Sequence, residues 1–309
     1  MGIKKIIKSC FLGEYLVSLY HIVMSRFSPL FLSDEKAVKK FYKKWFGQEI
    51  NLDAPATFAE KINWYKLNAR NPLMVKCADK VAVREYVAQK GYANTLNTVY
   101  GVYDKVEDID FDSIPNQFVV KAAHGSHMNY IVKDKSTFDW KHAKLMMKSW
   151  LRQDIYWSGR EWVYKDIPKR IIIEKYLEDE NGELRDYKFF CFHGKPERLQ
   201  VDIGRHSNHY RNFYNIDKTL LRICDTEKLP FIENIPFPIS DDVYNRMVKM
   251  SKDLAQPFQQ VRVDLYAVGS QIYFGELTFF DGGGTTMFFP AEWDYRFSEM
   301  WDVNRTFTG

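Results

Sequence analysis

Two apolar strands near the C-terminus carry charged and polar residues at every second position, and few folds tolerate that pattern. Arg262-Val263-Asp264 and Glu276-Leu277-Thr278 each set two polar side chains two residues apart, on one face of a strand. The turn at Val268-Gly269-Ser270 between them predicts a hairpin that lays the two faces side by side. The resulting patch holds two carboxylates, a hydroxyl and a guanidinium. Carboxylate oxygens are what Mg²⁺ takes, usually alongside phosphates. Opposite charges facing each other across strands are also a purely structural device. Tyr273, Phe274, Phe279 and Phe280 flank the second strand, however, and burying so many charges without a ligand would be costly.

A second pattern lies upstream. Phe118-Val119-Val120-Lys121 is a buried-type strand that delivers one lysine near its end, followed by Ala122-Ala123-His124-Gly125-Ser126. An ammonium suits a phosphate oxygen, and a Gly-Ser loop lets backbone N–H groups approach phosphates. An edge lysine before an ordinary turn would look the same. Ile171-Ile172-Ile173 followed by Glu174-Lys175-Tyr176-Leu177 is an apolar strand whose end could pair its backbone with an adenine edge, or simply leave a core.

Around these segments the periodicity predicts helices over 34–67, broken at Asn51–Pro55, and over 78–91, 139–156 and 240–256. Strands are predicted over 95–102, 117–122, 170–176, 186–192, 198–203, 260–266 and 271–279, with a hairpin turn at His193-Gly194. Helices interleaved with mostly antiparallel strands make a mixed α/β (α+β) chain. Its 309 residues are enough for two or three lobes.

Charge narrows the partners. Forty-four basic against 40 acidic side chains leave only +4, too balanced for a nucleic-acid binder. Cys10, Cys77, Cys191 and Cys224 lie far apart with no CxxC spacing, which points to free thiols and a cytoplasmic protein. Residues 1–30 combine Lys4, Lys5 and Lys8 with an apolar stretch interrupted by Glu14, His21 and Arg26. No uncharged run of about 18 residues exists, so a spanning helix is not expected. The two readings are a helix packed on the body and a basic amphipathic helix making peripheral contact with a membrane surface.

Taken in order, these motifs resemble the TupA-like ATP-grasp family of surface-polysaccharide gene clusters. The resemblance runs through Phe58–Trp64, Asp79-Lys80, Arg84–Tyr86, Val120–Ser126, Ile173–Leu177, Asp186–Phe190, Arg262–Tyr266, Gly275–Phe279 and Gly282–Gly284. It implies an ATP-grasp fold, two α/β lobes clasping ATP, with a helical N-terminal extension over 1–70. It divides the remainder into an α/β part over 71–115, a small lobe over 116–175 and a C-terminal lobe with the metal site over 176–309. It implies that Lys121 holds an ATP phosphate, with Gly125 and Ser126 on the phosphate loop. Glu174, Lys175, Tyr176 and Leu177 would frame the adenine, Asp186 the ribose, and Lys188 would reach the phosphates. Asp264, Glu276 and Thr278 would ligate Mg²⁺, and Arg262 would steady an acyl phosphate. Thr278 departs from the asparagine many relatives carry there, and is expected to be a weaker ligand.

The family further implies a carboxylate–amine ligase, its acceptor a uronic acid of a cell-surface polysaccharide and its amine an amino acid. Arg205, His206, His209 and Arg211 are candidates for holding the acidic sugar, or a solvated polar loop. A kinase, a glycosyltransferase or a non-catalytic nucleotide-binding scaffold are the competing functions. The chain has no Asp-x-Asp element of the usual sugar-nucleotide kind.

Overall fold

The computed structural model describes residues 11–27, 32–179, 182, 184–204, 209–225, 231–233 and 235–305. They form two compact units, each assembled from separated stretches of chain. One unit comprises 1–38, 71–83 and 97–176, and the other 39–70, 84–96 and 177–309.

The first unit is a four-stranded antiparallel sheet under helices. Its strands are β1 (Val99–Tyr103), β2 (Phe118–Ala122), β3 (Asn129–Val132) and β4 (Ile171–Lys175), in the spatial order β1-β4-β2-β3. Strand alternation splits its residues cleanly. Phe118, Val120, Ala122, Ile171 and Ile173 join Ala143, Met146, Met147 and Trp150 of a helix over Trp140–Trp150 in one core. Val119, Lys121, Ile172 and Glu174 therefore take the other face. The helix predicted over 139–156 ends at Trp150, and a short helix (Tyr156–Gly159) follows. The N-terminal helix α1 (Phe11–Phe27) buries Ser18, whose hydroxyl bonds Ser149 and accepts from Gln153 Nε2 at 2.6 Å. It thus packs on the body, while Leu16, Tyr20 and Val23 are exposed. No helix among the described residues is long and apolar enough to cross a membrane.

The predicted helix over 78–91 is interrupted. One helix (Leu73–Ala78) stops at Asp79 and the next begins at Val83. Asp79 accepts from the Val81 N–H at 2.8 Å and ion-pairs with Arg170 at 2.5 Å. A side chain that bonds its own backbone two residues on competes with helix at that point.

The second unit is a six-stranded antiparallel sheet in the order β10-β9-β5-β6-β7-β8. The strands are β5 (Asp186–Phe192), β6 (Lys195–Ile203), β7 (Tyr210–Asn215), β8 (Leu220–Leu221), β9 (Gln260–Val268) and β10 (Gln271–Thr278). β7 and β8 were not foreseen in the sequence. The β5–β6 turn has both central residues at positive φ, His193 at 50° and Gly194 at 74°. That is the twist a two-residue hairpin demands. Helix α2 (Asp241–Ala255), capped by Ser240, covers one face through Tyr244, Met247, Met250 and Leu254. Helix α3 (Phe58–Asn68) and helix α4 (Glu292–Glu299) cover one end of the other face. There Phe58, Phe190, Phe213, Phe288 and Phe297 form a ring cluster with centroids as close as 4.2 Å. The remainder of that face carries the charges.

Candidate active site

The charged face is built by strand register. Across β5, β9 and β10, Lys188 pairs with Asp264 and Asp264 with Glu276, while Phe190 pairs with Arg262 and Arg262 with Thr278. The four side chains expected together are together, but alternation alone does not achieve it. Counting from the Gly269 turn, Phe274 pairs with Leu265, so a regular ladder would set Gly275 opposite Asp264 and turn Glu276 to the far face. A bulge between Phe274 and Glu276 adds one residue and restores Glu276 to Asp264's side. Gly275 is the residue that permits it. A Cβ there would stand 2.8 Å from the Asp264 carbonyl oxygen and 2.9 Å from the Tyr266 ring.

Arg262 is the hub of the patch. Its Nε donates to Asp264 Oδ1 and its Nη2 to Asp264 Oδ2, both at 2.7 Å. Nη2 also donates to Thr278 Oγ1 at 3.3 Å, and Nη1 donates to Asp281. Four of the five guanidinium N–H groups are thereby engaged, which leaves one on Nη1. Thr278 Oγ1 in turn donates to Glu276 Oε1 at 3.2 Å. Burial pushes the Asp264 carboxyl up to about 6, against the pull of Arg262 and Lys188. Asp281 belongs to this site, although the sequence pattern did not single it out. Its only signal was an acid set directly before Gly282-Gly283-Gly284.

Lys188 belongs to a second cluster on the same face. Its ammonium bonds Asp202 and lies 3.6 Å from Asp186 Oδ2. Asp202 is fully buried and also accepts from Gln200 Nε2 at 2.8 Å and Arg211 Nε at 2.6 Å, with His209 Nε2 3.0 Å away. Burial alone would raise the Asp202 carboxyl, but Lys188 and Arg211 hold it well below the usual range. Arg211 is bridged to Asp225 as well. His209 and Arg211 are thus tied to the chain's own acids at the start of β7, and Arg205 and His206 lie outside the described residues.

In the first unit, Lys121 Nζ donates to Glu174 Oε2 at 2.7 Å, one diagonal step apart on β2 and β4. Lys175 donates its backbone N–H to Thr98 O at 2.9 Å and accepts from Asn97 Nδ2 at 2.8 Å. Its own main chain is therefore occupied. Tyr176 lies under Lys133, 5.3 Å from Nζ to ring centre, and Leu177 opens the second unit's longest stretch. Gly125 is buried and Ser126 exposed in the β2–β3 loop, where Lys80 Nζ donates to the Gly125 carbonyl at 2.6 Å. That staple, with Asp79–Arg170 beside it, explains the Asp79-Lys80 pair. The side chain just before Gly125 and Ser126, His124, is buried, and its Nε2 lies 2.9 Å from the Trp150 carbonyl oxygen.

Asp264, Glu276 and Thr278 are hard oxygen donors, and two carboxylates directly opposite each other repel unless a cation sits with them. Among the described residues no group of three or more His, Cys, Asp or Glu is arranged to hold a metal alone. The set fits Mg²⁺ in its usual role, which takes one or two carboxylates and completes its shell with phosphate and water oxygens.

A family model described as TupA-like ATPgrasp matches residues 60–301. Comparison with the curated proteins returned no match. Among solved structures, D-alanine–D-alanine ligase from Bacillus anthracis is 20% identical, covering 65% of this chain and 56% of its own, at a TM-score of 0.39. An N5-carboxyaminoimidazole ribonucleotide synthetase in complex with ADP is 12% identical, covering 71% and 50%, at 0.42. The ATP-grasp ligase PsnB with minimal precursor, Mg and ADP is 10% identical, covering 80% and 62%, at 0.40. The chain spans less than two thirds of the length of each.

Proposed function

The chain belongs to the TupA-like ATP-grasp family, and from that premise we propose that it is an ATP-dependent carboxylate–amine ligase working through an acyl phosphate. The observation that carries this reading is the row Lys188–Asp264–Glu276 with Arg262 and Asp281 beside it. Two cations and three acids lie there within a few strand spacings, which suits a triphosphate with its counterion. Asp264 and Glu276, helped by Thr278, would hold Mg²⁺, which when bound neutralises phosphate charge. Lys188 and Lys121 would supply ammonium groups for phosphate oxygens, and Tyr176 and Leu177, just beyond the occupied Lys175, would supply backbone for the adenine.

In the proposed reaction an acceptor carboxylate oxygen attacks the γ-phosphorus. The bond to the β–γ bridging oxygen breaks, and ADP leaves. An amine then attacks the acyl carbon, loses a proton and expels phosphate, leaving an amide. Phosphoryl transfer needs positioning and charge neutralisation more than covalent help. The remaining N–H of Arg262 would stabilise negative charge on the acyl phosphate. Lys80, by fixing the Gly125 carbonyl, sets the shape of the loop assigned to the phosphates.

The acceptor we propose is a uronic acid of a cell-surface polysaccharide, joined to an amino acid or other amine by a cytoplasmic protein whose packed α1 keeps Leu16, Tyr20 and Val23 exposed for peripheral membrane contact. The test supplies Mg-ATP, a panel of uronic acids, and hydroxylamine in place of the amine. Hydroxamate and ADP in equal amounts are expected. ADP with phosphate left on a sugar hydroxyl would make the protein a kinase and end the ligase reading.

A further inference from the structure

The α3 segment Phe58–Trp64 carries part of the family resemblance yet has no role in the chemistry proposed above. The structure assigns it one: α3 is a clasp whose Asn63 and Lys66 hold the Gly282–Gly284 turn, and that turn carries Asp281 onto Arg262. Asn63 and Lys66 are therefore positioning residues for the metal and acyl-phosphate site, an inference that rests on the role proposed for Arg262.

The helix that presents them is itself well anchored. Thr57 and Glu60 close a reciprocal cap at its start, and Lys61 Nζ donates to the Ser298 and Trp301 carbonyls at 2.7 and 2.5 Å. Asn63 and Lys66 are both buried, 0% and 1% exposed. Asn63 Nδ2 donates to Gly284 O at 2.9 Å, and Lys66 Nζ donates to Gly283 O at 2.5 Å. Gly282, Gly283 and Gly284 all have positive φ, at 53°, 61° and 75°. Three such residues have no side chains with which to pack, so their carbonyls are the handles by which the turn is held. The grip is close: a Cβ on Gly284 would stand 2.5 Å from Asn63 Nδ2.

Asp281 begins the turn. One of its oxygens accepts from Arg262 and the other accepts from Thr286 Oγ1 at 2.7 Å. The single positive charge of Arg262 is thus shared between Asp264 and Asp281. If the turn drifts and takes Asp281 with it, the whole guanidinium charge falls on Asp264 and competes with a cation for that carboxylate.

The experiment titrates ADP, with and without Mg²⁺, into the full chain by calorimetry and follows hydrogen exchange in the same proteins. Lys66→Met is expected to speed exchange over 280–286 while leaving α2 unchanged. It is also expected to cut the Mg²⁺-dependent gain in ADP affinity about tenfold, the usual loss for a residue that supports a metal ligand, with metal-free ADP affinity unaltered. Gly284→Ala attacks the same contact from the turn and should give both effects. Asp281→Asn breaks the link at its other end, so Lys66→Met added to it should cost nothing more. Additive losses, or exchange in 280–286 no faster than in wild type, would overturn the clasp. A wild type whose ADP binding ignores Mg²⁺ would sink the metal reading instead, and the exchange result would still decide the clasp.

Discussion

Asp202 shows how a decisive residue stays hidden in a sequence. It sits in an ordinary-looking strand with no motif around it, yet it anchors Lys188, Gln200, His209 and Arg211. The available signal was Gln200-x-Asp202, two polar residues two apart in an apolar strand, the same spacing that drew attention to Arg262 and Asp264. Removing one partner of a buried charge cluster leaves the others uncompensated. Asp202→Asn should therefore lower unfolding free energy by about 3–5 kcal/mol, read as a lower denaturant midpoint. A midpoint within error of wild type would show the cluster to be dispensable. His124 makes a different residue-scale prediction. Burial lowers its pKa, partly opposed by its bond to the Trp150 carbonyl. Between that lowered value and the unfolded value of about 6.5, the unfolded chain binds a proton the native one does not. Stability contributed by neutral His124 is thus present above about 6.5 and lost as pH falls below it. Melting temperature should fall more steeply on acidification below about 6.5 in wild type than in His124→Gln; parallel curves would contradict this.

Among the elements, the strands were legible wherever apolar runs and turn residues coincide, as at 186–192 and 260–266. Helix ends were less so, because Asp79 bonds its own backbone and stops a helix whose apolar period continues. The bulge in β10 was the least legible feature and the one on which the site depends. A bulge leaves no compositional mark beyond its glycine, and Gly275 could equally have been an ordinary strand glycine. Its role yields a paired prediction. Gly275→Val favours a regular ladder and puts methyl groups where 2.8 Å separates Cβ from the Asp264 carbonyl oxygen. Glu276 should then turn from Asp264, and Mg²⁺-dependent ADP binding should be lost. Deleting Gly275 removes the extra residue instead, so Glu276 follows Phe274 directly and still faces Asp264. The deletion should retain more metal-dependent binding than the valine, and the reverse order would reject the register argument.

At the scale of the whole molecule, the chain divides into two compact units, and the residues proposed for the nucleotide fall in both. Lys121 and Glu174 are in the first, and Lys188, Asp264 and Glu276 are in the second. The interleaving of the two units does not follow from the order of motifs along the chain. Residues 39–70 and 84–96 join the second unit because Phe58, Asn63, Lys66 and Tyr86 are buried against it, Tyr86 through its hydroxyl to Leu254 O at 2.8 Å. Such long-range packing has no local signature. A ligand that binds only native protein stabilises it by mass action, by about 2.7 kcal/mol at one hundred times its Kd. Mg-ATP and Mg-ADP should accordingly raise the melting temperature by several degrees, and UDP-sugars should not. Hydrogen exchange then locates the effect. With Mg-ATP present, amides of the Gly125–Ser126 loop and of β4 should slow together with those of β9 and β10. Slowing confined to β9 and β10 would strike Lys121 and Glu174 from the nucleotide site. Stabilisation by a UDP-sugar alone would replace the ligase with a glycosyltransferase.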